Sequence, residues 1–180
     1  MSRRAAAALA FCLLAGCAHD PFPDAPPLRP LREAPAGPRA DCTRAQPAAL
    51  LRMGAPMVLS TSFRKISPYR AEERARLRGN VLLTVAHEGC TRSGYVFRFR
   101  LLGDRRRRAD RPYWYRRAAE LMAAVGVKDF RDLNDALRRS AAAPPAYGTW
   151  VRVGEFQRYA VEILSERRAS IVEVRYAFAL

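Results

Sequence analysis

Two adjacent segments near the middle of the chain leave the least freedom for folding. Asn80–His87 is nearly all apolar, with Val81, Leu82, Leu83 and Val85, as a central strand would be. Tyr95–Leu102 alternates: Tyr95, Phe97, Phe99 and Leu101 point one way, Arg98 and Arg100 the other. Glu88–Gly94 joins the two as a hairpin loop. One aromatic face and one charged face is the pattern of an antiparallel sheet covered on one side.

The rest of the chain extends that sheet and supplies the cover. Met57–Ile66 is a strand candidate, with Val58, Leu59, Phe63 and Ile66 around Ser60, Thr61 and Ser62. Gln46–Met53 reads as a short helix with Leu50 and Leu51 inward. Pro68–Arg78 reads as a short exposed helix or loop, since Tyr69 and Leu77 are its only large hydrophobics. Trp114, Ala118, Leu121, Met122 and Val125 form one helical stripe, with Asp110 placed to cap it, Pro112 tolerated in the first turn and Gly126 as the stop. A second helix has Asp129 as cap and Phe130, Leu133 and Leu137 inward, and it ends before Pro144 and Pro145. Thr149–Val153, Phe156–Leu164 and Ser170–Phe178 return to strands; in the last, Val172, Val174, Tyr176 and Phe178 oppose Glu173 and Arg175. The expected fold is α+β: an antiparallel sheet of about five to six strands with a helical hairpin packed on one face.

The N-terminus determines where such a domain works. Arg3 and Arg4 precede the apolar run Ala5–Leu13, and Leu14-Ala15-Gly16-Cys17 follows. This order of basic end, apolar run and small residues is that of a secretory signal, and the run is too short for a bilayer span of roughly 20 residues. It resembles the lipobox of bacterial lipoproteins. The resemblance covers residues 1–17 only and implies removal of residues 1–16 and acylation of Cys17, whose thiol is the one side chain there able to form a thioether. The alternatives are ordinary secretion, with cleavage after Ala18 in Gly16-Cys17-Ala18, and a buried N-terminal helix. Ala18 rather than an acidic residue follows the cysteine, which by analogy with enteric bacteria implies an outer-membrane address facing the periplasm. Residues 17–40 then hold the lipidated cysteine and a tether carrying Pro21, Pro23, Pro26, Pro27, Pro30, Pro35 and Pro38, and residues 41–180 form a single domain. Extended polyproline geometry, at about 3.1 Å per residue, lets the tether reach roughly 70 Å.

Export sorts the cysteines. Cys12 leaves with the signal and Cys17 takes lipid, so Cys42 and Cys90 remain as an even pair in an oxidising compartment, where a disulfide is expected. The other reading is two buried free thiols. The chain also carries 32 Lys and Arg against 17 Asp and Glu, a formal charge of +15. Only Lys65 and Lys128 are lysines. A surface this basic is drawn to phospholipid headgroups, lipopolysaccharide phosphates, acidic proteins or nucleic acid.

The positive charge is densest in Asp104–Arg117, where Arg105, Arg106, Arg107, Arg108, Arg111, Arg116 and Arg117 interleave with Tyr113, Trp114 and Tyr115. Guanidinium forks pair with phosphate or carboxylate oxygens and aromatic edges suit an interface, so this is the candidate contact patch for an anionic partner. The plainer account is a solvated loop running into a helix whose Trp114 is core. Arg98 and Arg100 either extend the patch or pair with Glu162 and Glu173 on the outer sheet face. Leu121–Leu137 is similar to a helix-turn-helix of bacterial regulators, with Gly126 at the turn. Export, and the phosphate-repelling Asp129, Asp132 and Asp135, oppose a DNA role.

Catalytic signatures are sparse. His87 is followed by Glu88 and Cys90 but lacks the second histidine of a zinc-protease helix, and no phosphate loop, nucleophile elbow or metal-ligand spacing is present. No catalytic residue, cofactor or metal site is assigned; Glu155 and Glu162 are the acidic residues nearest a glycan-cleaving role. The expected function is therefore a lipid-anchored accessory or scaffold protein of the envelope that works by binding. An envelope hydrolase acting on glycan or lipid and a secreted inhibitor or immunity-type protein are the alternatives.

Overall fold

The computed structural model describes residues 46–179 apart from 89–91, 105 and 127–129. The described residues form one antiparallel sheet of seven strands: β1 (Val58–Ser67), β2 (Arg70–Leu77), β3 (Val81–Glu88), β4 (Arg92–Leu102), β5 (Val151–Arg152), β6 (Gln157–Glu166) and β7 (Ala169–Ala179). Their spatial order is β1-β2-β3-β4-β7-β6-β5. Helices α1 (Arg111–Val125) and α2 (Arg131–Ser140) lie between β4 and β5 in the chain.

Two-residue alternation sets the register. Ala75, Leu83, Phe99, Val172 and Ile163 form one cross-strand row, and Glu73, Val85, Phe97, Val174 and Val161 the next. All ten are buried. The helical stripe Trp114, Ala118, Leu121, Met122 and Val125 joins the same core, and Gly126 ends α1 in the left-handed conformation, φ 70°. Phe130, just before α2, meets Tyr95, Phe97 and Tyr176 edge-on, with centroids 5.1–5.7 Å away. The Tyr159 hydroxyl donates to the carbonyl of Ala136 at 3.4 Å. Phe130 occupies the N-cap position of α2 with no side-chain cap bond; Asp129, the expected cap, lies outside the described residues.

Three local expectations change. Pro68–Arg78 is mostly the strand β2, which takes the sheet beyond five or six strands. Its inward positions hold Ala71, Glu73, Ala75 and Leu77. Small residues and a carboxylate at core positions erase the hydrophobic alternation that announces a strand. Gln46–Met53 is not a helix. Its Leu50 and Leu51 amides donate instead to the two carboxylate oxygens of Glu73, the latter at 3.0 Å. Thr149–Val153 contracts to the two-residue β5.

Candidate functional site

The arginine-rich segment begins where β4 ends. Four hydrogen bonds hold its backbone, three from Ser170, Trp114 and Tyr147 and one within the loop. The Ser170 hydroxyl donates to the Asp104 carbonyl at 3.0 Å, and the Trp114 indole N–H to the Arg107 carbonyl at 3.0 Å. The Tyr147 hydroxyl donates to the Arg108 carbonyl at 2.6 Å, and the Arg106 amide to Asp104 Oδ1 at 2.9 Å. Asp110 then caps α1 by accepting from the Tyr113 amide at 3.2 Å. With its main chain held by buried or half-buried side chains, the loop presents its guanidinium groups from a fixed base.

Those groups divide into sets. Arg106 lies 4.5 Å over the Tyr113 ring and 3.9 Å from Asp110. Arg108 lies 5.3 Å over the Tyr147 ring and 3.7 Å from Glu162. Arg107, Arg111 and Arg116 are exposed and have no ion-pair partner among the described residues. Arg117 pairs with Glu120 at 2.9 Å. Successive helical residues diverge by about 100°, so Arg116 and Arg117 leave α1 in different directions; Arg117, like Arg106, lies close enough to Tyr113 to act on its hydroxyl. Two open hollows flank Ala109. One, of 710 Å³, is walled by Arg106, Arg107, Asp104 and Asp110; the other, of 470 Å³, by Arg108, Arg111, Ala146 and Tyr147.

The tyrosines separate in the same way. Tyr113 is half-buried and its hydroxyl donates to Asp104 Oδ2 at 3.0 Å. Burial raises its pKa, and the Asp104 hydrogen bond and charge raise it further. Tyr115 is wholly buried, parallel to Tyr147 at 6.4 Å, and its hydroxyl has no hydrogen-bond partner among the described residues. It belongs to the core with Trp114 and offers no contact surface in the folded domain. Tyr147, which the sequence reading did not include in the patch, stands beside Arg108 instead. Nothing local announces this, since Tyr147 follows Arg108 by 39 residues.

The electrostatics of this corner are positive on balance, with Asp110 and Glu162 each facing one arginine. Arg106, Arg107, Arg108 and Arg111 gather at the N-terminus of α1, where aligned peptide dipoles already place positive charge, and the first turn contains no acidic residue. Basic side chains there cost about 0.3–1 kcal/mol each unless an anion offsets them. From residue 46 onward 26 Lys and Arg face 13 Asp and Glu, so internal pairing cannot neutralise the excess.

Arg98 and Arg100 do not join the patch. On the opposite sheet face Arg98 reaches Glu173 at 2.6 Å and Arg100 reaches Glu166 at 2.8 Å. Glu162 is taken by Arg108, and Glu155 stands exposed at the β5–β6 turn. His87 is buried in β3, its Nε2 4.0 Å from Glu73 Oε1. Burial raises the Glu73 carboxyl above its ordinary value, against the lowering effect of the Leu51 and Leu50 amides. With both Glu73 oxygens holding amides, this pair is a structural clamp that the sequence reading missed.

Cys17, Cys42, Cys90 and Arg105 lie outside the described residues. Among the described residues no group of three or more His, Cys, Asp and Glu side chains is placed to hold a metal ion, and no helix is long and apolar enough to cross a membrane. No family model, curated protein or solved structure matches the chain.

Proposed function

We propose that this chain is a lipid-anchored envelope protein that works by binding, with Cys17 acylated, Cys42 and Cys90 joined, and the N-terminal end of α1 as its site for an anionic partner. One observation carries the binding site: Arg106, Arg107 and Arg108, on a loop held by four hydrogen bonds, and Arg111, the first residue of α1, sit at the positive end of that helix. The arrangement raises local positive potential where stability alone favours acidic residues. An anion in either hollow beside Ala109 meets preplaced guanidinium groups, and phosphate or carboxylate oxygens match their forks. The address rests on residues 1–17, whose pattern resembles a lipoprotein signal.

The test has two parts. Fatty-acid labelling in the native host should mark the wild type and not Cys17→Ser; a labelled Cys17→Ser, or an unlabelled wild type, refutes the anchor. Cross-linking capture of envelope partners should fall at least tenfold in the Arg107→Glu, Arg108→Glu double variant, because each lost charge-assisted bond contributes about 1.5–3 kcal/mol. Undiminished capture by a variant with native near-ultraviolet dichroism refutes the arginine site.

A further inference from the structure

With Ile66 as the exception, the large exposed hydrophobics of the described residues divide by type. Those at the sheet end holding the 78–80 and 167–168 turns are aliphatic or Met: Met53, Leu59, Leu102 and Leu164. The exposed aromatics Phe63, Tyr69, Trp150 and Phe156, with exposures of 38–63%, belong to the other half of the sheet. Register places them toward one end of the sheet but at its two opposite edges, the β1–β2 edge and the β5–β6 edge. Ser67 faces Arg70 across the β1–β2 turn, where Ile66 and Tyr69 project. Gln157 faces Phe178 near the last residues of β7, and Phe156 precedes it in the β5–β6 turn. Trp150 and Phe156 line one open groove of 420 Å³ with Arg158 and Phe178.

Basic groups accompany these aromatics. Arg158 stacks over the Trp150 ring at 4.9 Å, with Glu155 in the same groove, and Arg64, Lys65 and Arg70 flank the β1–β2 turn, all exposed. Arg64 lies 3.6 Å from Glu72 and Arg70 3.9 Å from Glu88, solvent-exposed pairs that hold the guanidinium groups only weakly. The chain also arrives here: Lys65 Nζ donates to Gln46 Oε1 at the first described residue. The 45 residues before it, with the lipobox cysteine among them, therefore connect at this end.

We propose that this end of the sheet docks on an anionic phospholipid surface, with Ile66, Tyr69, Trp150 and Phe156 in the headgroup layer and Arg64, Arg70 and Arg158 against lipid phosphates. Tyrosine and tryptophan favour that layer because an apolar ring and a polar edge are both satisfied there. Basic side chains among them gain from the negative surface potential. The docking draws on the anchored reading for orientation. It aims the arginine corner of α1, near the opposite turns, away from the bilayer, and it makes the tether's attachment point the near side of the domain.

Trp150 supplies a built-in reporter, because Trp114 is wholly buried and its emission is insensitive to the surface. The mature-length chain, residues 17–180 with Cys17→Ser to remove acylation, is mixed with vesicles of phosphatidylcholine alone or with about one-third phosphatidylglycerol. The expected result is a blue shift, quenched by brominated acyl chains, with the anionic vesicles only and absent in Trp150→Phe. Ile66→Ser with Phe156→Ser should lower vesicle partitioning roughly tenfold. Arg107→Glu with Arg108→Glu should affect it no more than the same charge change at Arg138 and Arg139. The proposal is overturned if Trp150 emission does not move, or if the Arg107 and Arg108 reversal abolishes partitioning while the tip variant retains it. A tip variant that instead dissolves a dimer seen by sedimentation, with partitioning unchanged, assigns the surface to a second copy and overturns it too. The Cys17→Ser background keeps these outcomes separate from the labelling test of the anchor and the capture test of the arginine site.

Discussion

Replacing Glu73 by alanine isolates the contact that holds the first described segment to the sheet. Glu73 is wholly buried and accepts from the amides of Leu50 and Leu51. A hydrogen bond to a charged acceptor contributes about 1.5–3 kcal/mol net, and a buried amide left without a partner costs about 1–3 kcal/mol. The substitution also removes the cost of keeping a carboxylate out of water, which offsets part of the loss. The expected destabilisation is about 3 kcal/mol. For a urea dependence near 2 kcal/mol per molar, the unfolding midpoint falls by about 1.5 M, read by dichroism and by Trp114 emission. A second readout is local: Arg52 is exposed beside buried Leu51, so tryptic cleavage after Arg52 should accelerate before global unfolding. Glu73→Gln, which keeps one acceptor oxygen, should lose less than half as much. A midpoint shift below a few tenths molar, with no faster cleavage, refutes the clamp and assigns retention of the segment to Leu51 packing. Direction with pH is also set. Burial raises the Glu73 carboxyl above 4.5, so its folded form holds the proton more tightly than the unfolded chain. Its contribution is full below the unfolded pKa and is lost as pH rises through the folded value. Glu73→Gln should flatten that decline.

Three further outcomes are expected. Tyr115→Phe should stabilise the domain by about 1 kcal/mol in thermal or urea unfolding, since it deletes a buried hydroxyl that has no partner among the described residues; a loss of more than 1 kcal/mol refutes that assignment. Glu173 bridges Arg98 at 2.6 Å and Arg175 at 2.7 Å, so Glu173→Ala should cost about 3 kcal/mol and more than Arg98→Ala, which leaves the carboxylate with Arg175; equal or reversed losses in paired denaturation curves contradict the bridge. Burial raises the pKa values of Tyr115, Tyr159 and Tyr176, so stability should hold below the ordinary tyrosine pKa of about 10 and decline above it as the unfolded chain ionises first. Phenolate absorbance from these rings should appear together with loss of dichroism, and phenolate formation in a still-folded domain argues against their burial.

Much of the architecture was legible because periodicity is local. The alternation of β4 and β7, the stripe of α1 and its stop at Gly126 depend on neighbours a few residues apart, and the structure reproduces them. β2 was illegible for the same reason: alanines at 71 and 75 and a carboxylate at 73 carry no hydrophobic signal, and they become core only because β3 and the 46–51 segment cover them. The loop that bears the arginines was legible as a charge run. Its anchoring was not, since Ser170, Tyr147 and Trp114 reach its backbone from three separate segments.

By itself the sequence determined an antiparallel sheet with two helices, the excess of arginine and the signal-like pattern of residues 1–17, all properties of short windows or of counts. Tertiary structure decided which arginines share a surface, that Tyr147 rather than Tyr115 stands beside Arg108, and that Arg98 is spent on Glu173 rather than offered to a partner. The last two pairings span 39 and 75 residues. Packing selects among many carboxylates and rings at such separations, and only closure of the sheet around its core brings one particular pair within a hydrogen bond.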